Sequence, residues 1–312
     1  MKKEYNILQY FNMRSLFIGI GISRILANAH ELHPISVILG TLIGLLILKF
    51  IKIELKNNIV NTIISIIFLI YSFVIIVNLV STMYLNHMMK FLLGIPIILL
   101  LMYILKCKEV LIYRISNIMI VIVVFFFFFC LFSLLPNVEF SNLMYTNVSF
   151  KDVIISAIEY ALISTVPTFI IRYKETSDIP IYKTYIASSI TILQMMFVTY
   201  LILGPNLSEL FRYPEYMVLK SINISGSLTN LENMLSLIWL IDAIMFIFCC
   251  GNTIKRQVNN KVVLNIILVF ILIIASIISK YYQLILSVYL YIIPILIISL
   301  ISLYLVNKKS SS

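Results

Sequence analysis

Hydrophobic residues along this chain fall into long runs that short polar segments separate. Each run is close to the roughly 20 apolar residues that a helix needs to cross a bilayer. Ten such runs can be delimited: Leu16–Ala29, with apolar residues reaching back to Ile7, Ile35–Phe50, Ile59–Tyr84, Phe91–Leu105, Val110–Leu135, Val153–Ile171, Ile181–Leu203, Leu231–Cys250, Val262–Ser279 and Gln283–Val306. The pattern predicts an all-α integral membrane protein of about ten transmembrane helices, forming one polytopic domain over residues 1–312.

Composition supports this prediction. The chain is 62% hydrophobic and 12% charged, with a mean hydropathy of +1.07, whereas a soluble domain is near half apolar and a quarter charged. A water-soluble monomer is therefore excluded. The first apolar run lacks a small-residue cleavage site, so we expect no cleavable signal peptide. The four cysteines have neither zinc nor disulfide spacing, and we interpret them as small packing residues; they are Cys107, Cys130, Cys249 and Cys250.

Lysine and arginine alternate strongly between the loops. One side of the predicted membrane receives 17 cations: Lys2, Lys3, Arg14, Lys49, Lys52, Lys56, Lys106, Lys108, Arg114, Arg172, Lys174, Lys183, Lys255, Arg256, Lys261, Lys308 and Lys309. The other side receives five: Lys90, Lys151, Arg212, Lys220 and Lys280. Because cytoplasmic loops carry the excess of Lys and Arg, both termini are predicted to be cytoplasmic. The asymmetry also explains the net charge of +10 without a nucleic-acid partner.

Ten spans divide into two sets of five. The first repeat would cover about 7–135 and the second about 153–306, with inverted topology, so that spans one and six correspond. Both are unusual. Span one contains the sequence GIGISR, and span six contains Glu159 and Pro167. Paired interrupted spans in two halves of a membrane protein point to a transporter-type binding site. We therefore expect spans one and six to be interrupted, as in LeuT-like folds.

Two outer segments are long, namely Pro136–Asp152 and Gly204–Asn230. The second contains FRYPEYMVLKSINISG, in which aromatic and apolar residues alternate with charges. It predicts a helix lying at the membrane interface, followed by a re-entrant turn at Ser225–Ser227. An ordinary surface loop is the alternative.

Charged residues at membrane depth cost several kcal/mol unless they are paired or hydrated, about 2.5–3.5 kcal/mol on insertion scales. Four residues meet this description: Arg24, Glu159, Asp242 and Glu232. They predict a polar cavity between spans one, six and eight, although a buried Arg–carboxylate pair that only holds helices together would use the same residues.

The Gly19–Ser23 segment has a possible use in this cavity. Glycine is about 1 kcal/mol less favourable than alanine inside a helix, and unwinding at Gly19 and Gly21 would free backbone N–H groups for a ligand carboxylate. The Ser23 hydroxyl would add a donor. A close helix–helix contact through small residues is the alternative. Nearby, the sequence from His30 to Pro34 lacks the spacing of a zinc motif; we interpret it as an external loop exposed to solvent and predict no metal or other cofactor.

These features resemble the B-subunit family of spore germination receptors (GerAB-type), in the amino acid–polyamine–organocation transporter superfamily. The resemblance is carried by the Gly-x-Gly of span one and by Leu135-Pro136-Asn137, Ser141-Asn142-Leu143, Tyr213-Pro214, Lys220-Ser221-Ile222, Glu232 and Trp239. The chain departs from the family at three places. Thr229 and Asn230 stand where a Glu-Arg pair is usual, and Lys220 stands where the basic residue is usually Arg. Arg24 lies where the family usually has a proline and has no charged residue.

The resemblance implies two inverted five-helix repeats. It also implies the membrane subunit of a nutrient receptor in dormant spores, which acts beside an A subunit and a lipoprotein C subunit and binds a small germinant, often an amino acid. On this interpretation the Gly19–Ser23 backbone holds the ligand carboxylate, Glu159 or Asp242 faces its ammonium group, and closure of spans one and six is the signal. The protein would not be an enzyme.

Two other functions stay open. The first is an amino-acid symporter of the same fold, coupled to a cation or to protons. The second is a multi-span membrane acyltransferase, which would need a membrane-embedded catalytic histidine, whereas His30, His33 and His87 all fall at outer span ends.

Overall fold

The computed structural model describes residues 2–50, 59–85, 88–143, 148–171, 179–222, 236–258, 260–281, 294–302 and 305. All regular structure in these residues is helical. Seven helical segments are long and apolar enough to cross a membrane: Ile22–Phe50, Ile59–Met83, Val110–Asn137, Phe150–Phe169, Tyr182–Leu210, Leu237–Gln257 and Lys261–Lys280. The prediction of a helical membrane protein is therefore confirmed.

Eleven α-helices have defined bounds in the described residues: α1 Lys2–Arg14, α2 Ile22–Ala29, α3 His33–Phe50, α4 Ile59–Met83, α5 Lys90–Lys106, α6 Val110–Leu134, α7 Phe150–Phe169, α8 Tyr182–Leu210, α9 Pro214–Leu219, α10 Leu237–Gln257 and α11 Lys261–Lys280. Residues 294–302 are also helical. At 17 residues, α5 is at the lower limit for a bilayer span.

The first span is interrupted, as predicted. A π-helical turn at Phe17–Gly21 separates α1 from α2, and the Ile22 N–H donates to the Phe17 carbonyl five residues back. A Cβ on Gly21 would lie 2.7 Å from Cδ1 of Phe17, and the fully buried Phe17 ring packs against Tyr160 with 5.1 Å between centroids. The Phe17 ring has little room to move, so the widened turn requires a residue without a side chain at position 21. The helix is widened here and not unwound.

The predicted interruption of the sixth span is wrong. Helix α7 runs without a break from Phe150 to Phe169. A proline removes its own N–H and crowds the carbonyl four residues earlier. Pro167 lies two residues from the helix end, so its effect falls within the last turn and leaves the rest of the span intact.

Helices α3 and α7 pack closely through two glycines. A Cβ on Gly40 would lie 2.6 Å from the Ala157 carbonyl oxygen, and one on Gly44 would lie 1.9 Å from the Tyr185 hydroxyl. Glycines four residues apart form a smooth strip on one helix face, which lets backbones approach where lipid provides no hydrophobic drive for association. This Gly-xxx-Gly strip fixes α3 against α7 and α8.

The helices form two packed groups. The first span and α3 contact each other and both contact α7 and α8, while α4 and α5 contact each other and both contact α10 and α11. Helix α1 joins the groups because it also contacts α6 and α10.

Contacts between side chains give the relative directions of three helices. Asn117 Nδ2 lies 3.5 Å from Glu4 Oε1, and Tyr10 Oη lies 3.2 Å from Thr191 Oγ1. Lys3 and Lys183, at the starts of α1 and α8, line the same groove as Ile120 of α6. The amino-terminal ends of α1, α6 and α8 therefore share one side of the molecule.

Helix α8 passes the predicted end of span seven and bends at Gly204, whose φ is 71°. Pro205 has no N–H to donate to the Leu201 carbonyl, so this carbonyl needs another hydrogen-bond donor at the bend. That carbonyl accepts from Asn142 Nδ2 at 2.7 Å and from the Glu139 N–H at 3.3 Å. The short 3₁₀ turn Phe140–Asn142 thus stabilises the bend.

The segment after α8 contains a helix, as predicted, and this helix packs against the bundle. Helix α9 contacts α2, α6 and α8, and its residues Pro214, Tyr216 and Leu219 are buried. Asn137 Nδ2 donates to the Ser221 carbonyl just beyond it at 2.7 Å. The aromatic side chains that suggested an interfacial helix, Tyr213 and Tyr216, are buried in the protein. The predicted re-entrant turn lies outside the described residues.

Candidate functional site

A buried ion pair joins the end of α1 to α10. Arg14 Nε lies 2.9 Å from Asp242 Oδ2, and the side chains are 1% and 0% exposed. Arg14 Nη1 donates to the Tyr10 hydroxyl at 2.5 Å and to Thr191 Oγ1 at 3.1 Å. The guanidinium also lies over the Trp239 ring, 5.4 Å from its centroid.

Arg14 was assigned above to a cytoplasmic loop, and that assignment is wrong. Helix α1 is rich in polar residues, so hydropathy places it outside the membrane core. The structure instead buries Tyr5, Leu8 and Phe11 together with Gln9 and Asn12. The apolar residues at positions 5, 8 and 11 follow helical spacing, and this is the signal that could have shown α1 to be a packed helix.

A second ion pair joins α2 to α7. Arg24 Nη2 contacts Glu159 Oε1, and Arg24 Nε lies 3.4 Å from Glu159 Oε2. The Arg24 side chain is 31% exposed, whereas Glu159 is 5% exposed. The structure therefore brings together two of the predicted site residues and gives each an oppositely charged partner.

The two pairs lie on opposite sides of the π-helical turn. Ten residues separate the two arginines in the chain, which corresponds to about 15 Å along a helix. Glu159 and Asp242 consequently do not face each other across one cavity, because each is held by its own arginine. One half of the first span is tied to α10 and the other half to α7.

The remaining predicted site residues lie between the pairs. Gly19 is part of the π-helical turn, Gly21 is buried and Ser23 is half-buried. The Ile22 N–H already donates to Phe17. The expected set of free backbone donors at Gly19–Ser23 is therefore reduced in this conformation.

The Arg14–Asp242 pair keeps unused hydrogen-bonding capacity. Arg14 Nη2 and Asp242 Oδ1 are buried without a hydrogen-bond partner among the described residues. Buried polar groups are normally satisfied, so such exceptions mark sites of strain or function.

Most of the histidine loop is half-buried and only His33 departs from the predicted contact with solvent. His33 is fully buried, its Nδ1 lies 2.6 Å from the His30 carbonyl oxygen, and its ring packs 5.1 Å from that of Tyr200. No group of three metal-binding side chains occurs in the part of the chain that the structure describes. Glu232 and His87 lie outside that part.

No protein-family model, curated protein or solved structure matches this chain.

Proposed function

We propose that the chain folds as two inverted repeats of five helices, with the tenth span near its carboxyl terminus. In such a repeat, spans one to five correspond to spans six to ten. The contact of α3 with α7 (spans two and six) then corresponds to that of α8 with the first span (spans seven and one). The contact of α4 with α11 (spans three and nine) corresponds to that of α10 with α5 (spans eight and four). All four contacts occur, and this correspondence supports the repeat. The shared direction of α1, α6 and α8 supports a topology in which odd spans start from the cytoplasm and both termini are cytoplasmic.

We further propose that the protein is a ligand-sensing membrane subunit of the spore germination receptor type, in the cell or spore inner membrane. It would act with an A subunit and a lipoprotein C subunit. One observation carries the proposal: a π-helical turn interrupts the first span between two ion pairs that tie its halves to different helices. π-turns inside α-helices are frequent at functional sites. The hydrogen bond from Asn137 to the Ser221 carbonyl also joins two residues on which the resemblance rests.

A zwitterionic amino acid matches the Arg24–Glu159 pair chemically. Its carboxylate would take the place of Glu159 at Arg24, and its ammonium group would take the place of Arg24 at Glu159. Arg24 is partly exposed and hence reachable. The ligand would separate α2 from α7, while the sealed Arg14–Asp242 pair would hold α1 on α10. The first span would bend at Gly19–Gly21, with Ser23 and the backbone completing the contacts.

Such a ligand can signal only if it binds one conformation better than the other. Here the closed ion pair is the ligand-free state, and ligand binding substitutes two intermolecular ion pairs for one internal pair. The contacts that differ between the ligand-free and the ligand-bound conformation are therefore those of Arg24 and Glu159.

A thermal-shift screen of amino acids and nucleosides on the purified protein tests the proposal. We expect an amino acid to stabilise the wild type, and Arg24→Gln or Glu159→Gln to abolish that shift. Glu109→Gln is a matched control because Glu109 forms a two-point ion pair with Arg256 away from the first span. If no ligand stabilises the wild type, or if all variants respond equally, the proposed pocket is wrong.

A symporter of the same fold is the second candidate, and the two intramembrane carboxylates favour it. Carboxylates within transmembrane helices commonly serve proton or cation pathways. Uptake of labelled amino acid into proteoliposomes separates the candidates, because concentrative uptake would exclude a receptor that does not transport.

A further inference from the structure

A groove of about 630 Å³ opens between α1, α6 and α8. Its walls are largely apolar, formed by Ile7, Ile120, Ala187 and the Tyr10 ring, and Lys3 and Lys183 lie at its rim. Both lysines are exposed. The groove opens sideways between α1, α6 and α8, and such an opening in a membrane-spanning bundle would be accessible to lipid.

The electrostatics of the rim favour an anion. The amino-terminal ends of three helices meet on this side, and each carries a partial positive charge. Lys3 and Lys183 add two full charges. Glu4 is the nearby acidic residue of α1. Its carboxylate accepts from Asn117 Nδ2 at 3.5 Å, and Arg114 of α6 partly offsets its charge.

We propose that this groove binds an acidic phospholipid. The phosphate lies between Lys3 and Lys183, and the glycerol and upper acyl chain lie along Ile7, Ile120 and Ala187. Basic pockets between transmembrane helices on the cytoplasmic side are typical sites for anionic headgroups. Lys3 and Tyr10 are separated by about 10 Å along α1, so the groove spans both the headgroup and the first part of the acyl chain.

The groove also reaches the buried Arg14–Asp242 pair. Tyr10 lines the groove, and its hydroxyl accepts from Arg14 Nη1 at 2.5 Å. Lipid packed on the Tyr10 ring therefore restrains the side chain that orients Arg14. The lipid site does not depend on the function proposed above.

Native mass spectrometry of the purified full-length protein in detergent tests the proposal. Phosphatidylglycerol is titrated against phosphatidylcholine with identical acyl chains. Each lysine near an anionic headgroup is worth about fivefold in affinity, so Lys3→Gln with Lys183→Gln should weaken phosphatidylglycerol binding by about 25-fold. The control pair is Lys151→Gln with Lys280→Gln, which removes two lysines elsewhere and should bind like the wild type. Equal loss in the control pair, or equal binding of both lipids, would overturn the proposal.

A variant that fills the groove distinguishes a site that holds the acyl chain from attraction of the headgroup by surface charge alone. Ala187→Trp retains both lysines, and Ala187 is exposed, so the variant should fold; unfolding in the same detergent verifies this. We expect it to lose at least tenfold in phosphatidylglycerol affinity. Wild-type affinity in Ala187→Trp, or displacement of the lipid by an equal concentration of glycerol phosphate, would contradict a site that holds the acyl chain.

Discussion

Replacing Asp242 by asparagine removes the only carboxylate that pairs with Arg14 in the described residues, while the side-chain volume is almost unchanged. Arg14 would keep its contacts with the Tyr10 hydroxyl and Thr191 Oγ1, but both partners are neutral. Its guanidinium is 1% exposed and cannot reach water without moving α1. The variant thus tests the cost of an uncompensated charge inside the helix bundle.

The expected loss is about 3–5 kcal/mol of unfolding free energy, the range for removing one partner of a buried ion pair. Removing both charges should cost much less, because a buried pair is often replaced by apolar residues without penalty. We therefore expect Arg14→Met combined with Asp242→Leu to be within about 1 kcal/mol of the wild type.

Unfolding can be followed in mixed micelles by titration with sodium dodecyl sulfate. The chain has a single tryptophan, and Trp239 is 2% exposed and lies over Arg14, so its fluorescence reports this region. Glu139→Gln is the control, since Glu139 is exposed. The reasoning is refuted if Asp242→Asn costs less than 1 kcal/mol, or if the double apolar variant is as unstable as the single one.

Four further substitutions should have unequal effects on the same unfolding free energy. Arg24→Gln should cost about 3 kcal/mol because the Glu159 carboxylate stays buried, whereas Glu159→Gln should cost 1 kcal/mol or less because Arg24 reaches solvent. Gly44→Ala should cost about 1–3 kcal/mol, since the new methyl group overlaps the buried Tyr185 hydroxyl. Asn142→Ala should cost about 1–2 kcal/mol because it removes the principal donor to the carbonyl freed at the α8 bend.

Two controls belong to these substitutions. Gly94→Ala places a methyl group near only the end of the flexible Leu272 side chain, and we expect it to cost less than Gly44→Ala. Ser141→Ala alters an exposed neighbour of Asn142 and should be close to neutral. Equal losses within either matched comparison would show that the named contacts do not determine stability.

Much of the helical architecture could be predicted from the sequence. The third apolar run was delimited as Ile59–Tyr84 and the helix is Ile59–Met83; the fifth was Val110–Leu135 and the helix is Val110–Leu134. Agreement is this close because transfer into lipid depends on each residue's own side chain and on the length of the run. The interruption in the first span was also predicted from its two glycines, although glycines in an apolar helix can instead serve close packing, as Gly40 and Gly44 do.

The partners of the buried charges could not be predicted. Arg14 and Asp242 are 228 positions apart. The helical spacing of Tyr5, Leu8 and Phe11 indicates a packed helix, but it does not show which carboxylate Arg14 contacts. The contacts of helix α9 could not be predicted for the same reason: its apolar and charged residues suit a lipid surface as well as they suit the contacts with α2, α6 and α8.

The sequence by itself thus determined the helical membrane class, most helix bounds and the presence of charges at membrane depth. Only the tertiary structure decided that Arg24 holds Glu159, that Arg14 holds Asp242, and that the two pairs lie on either side of the π-helical turn. The physical reason is that apolar length and polarity are properties of one helix, whereas the pairing of a buried charge is fixed by which helices pack against it.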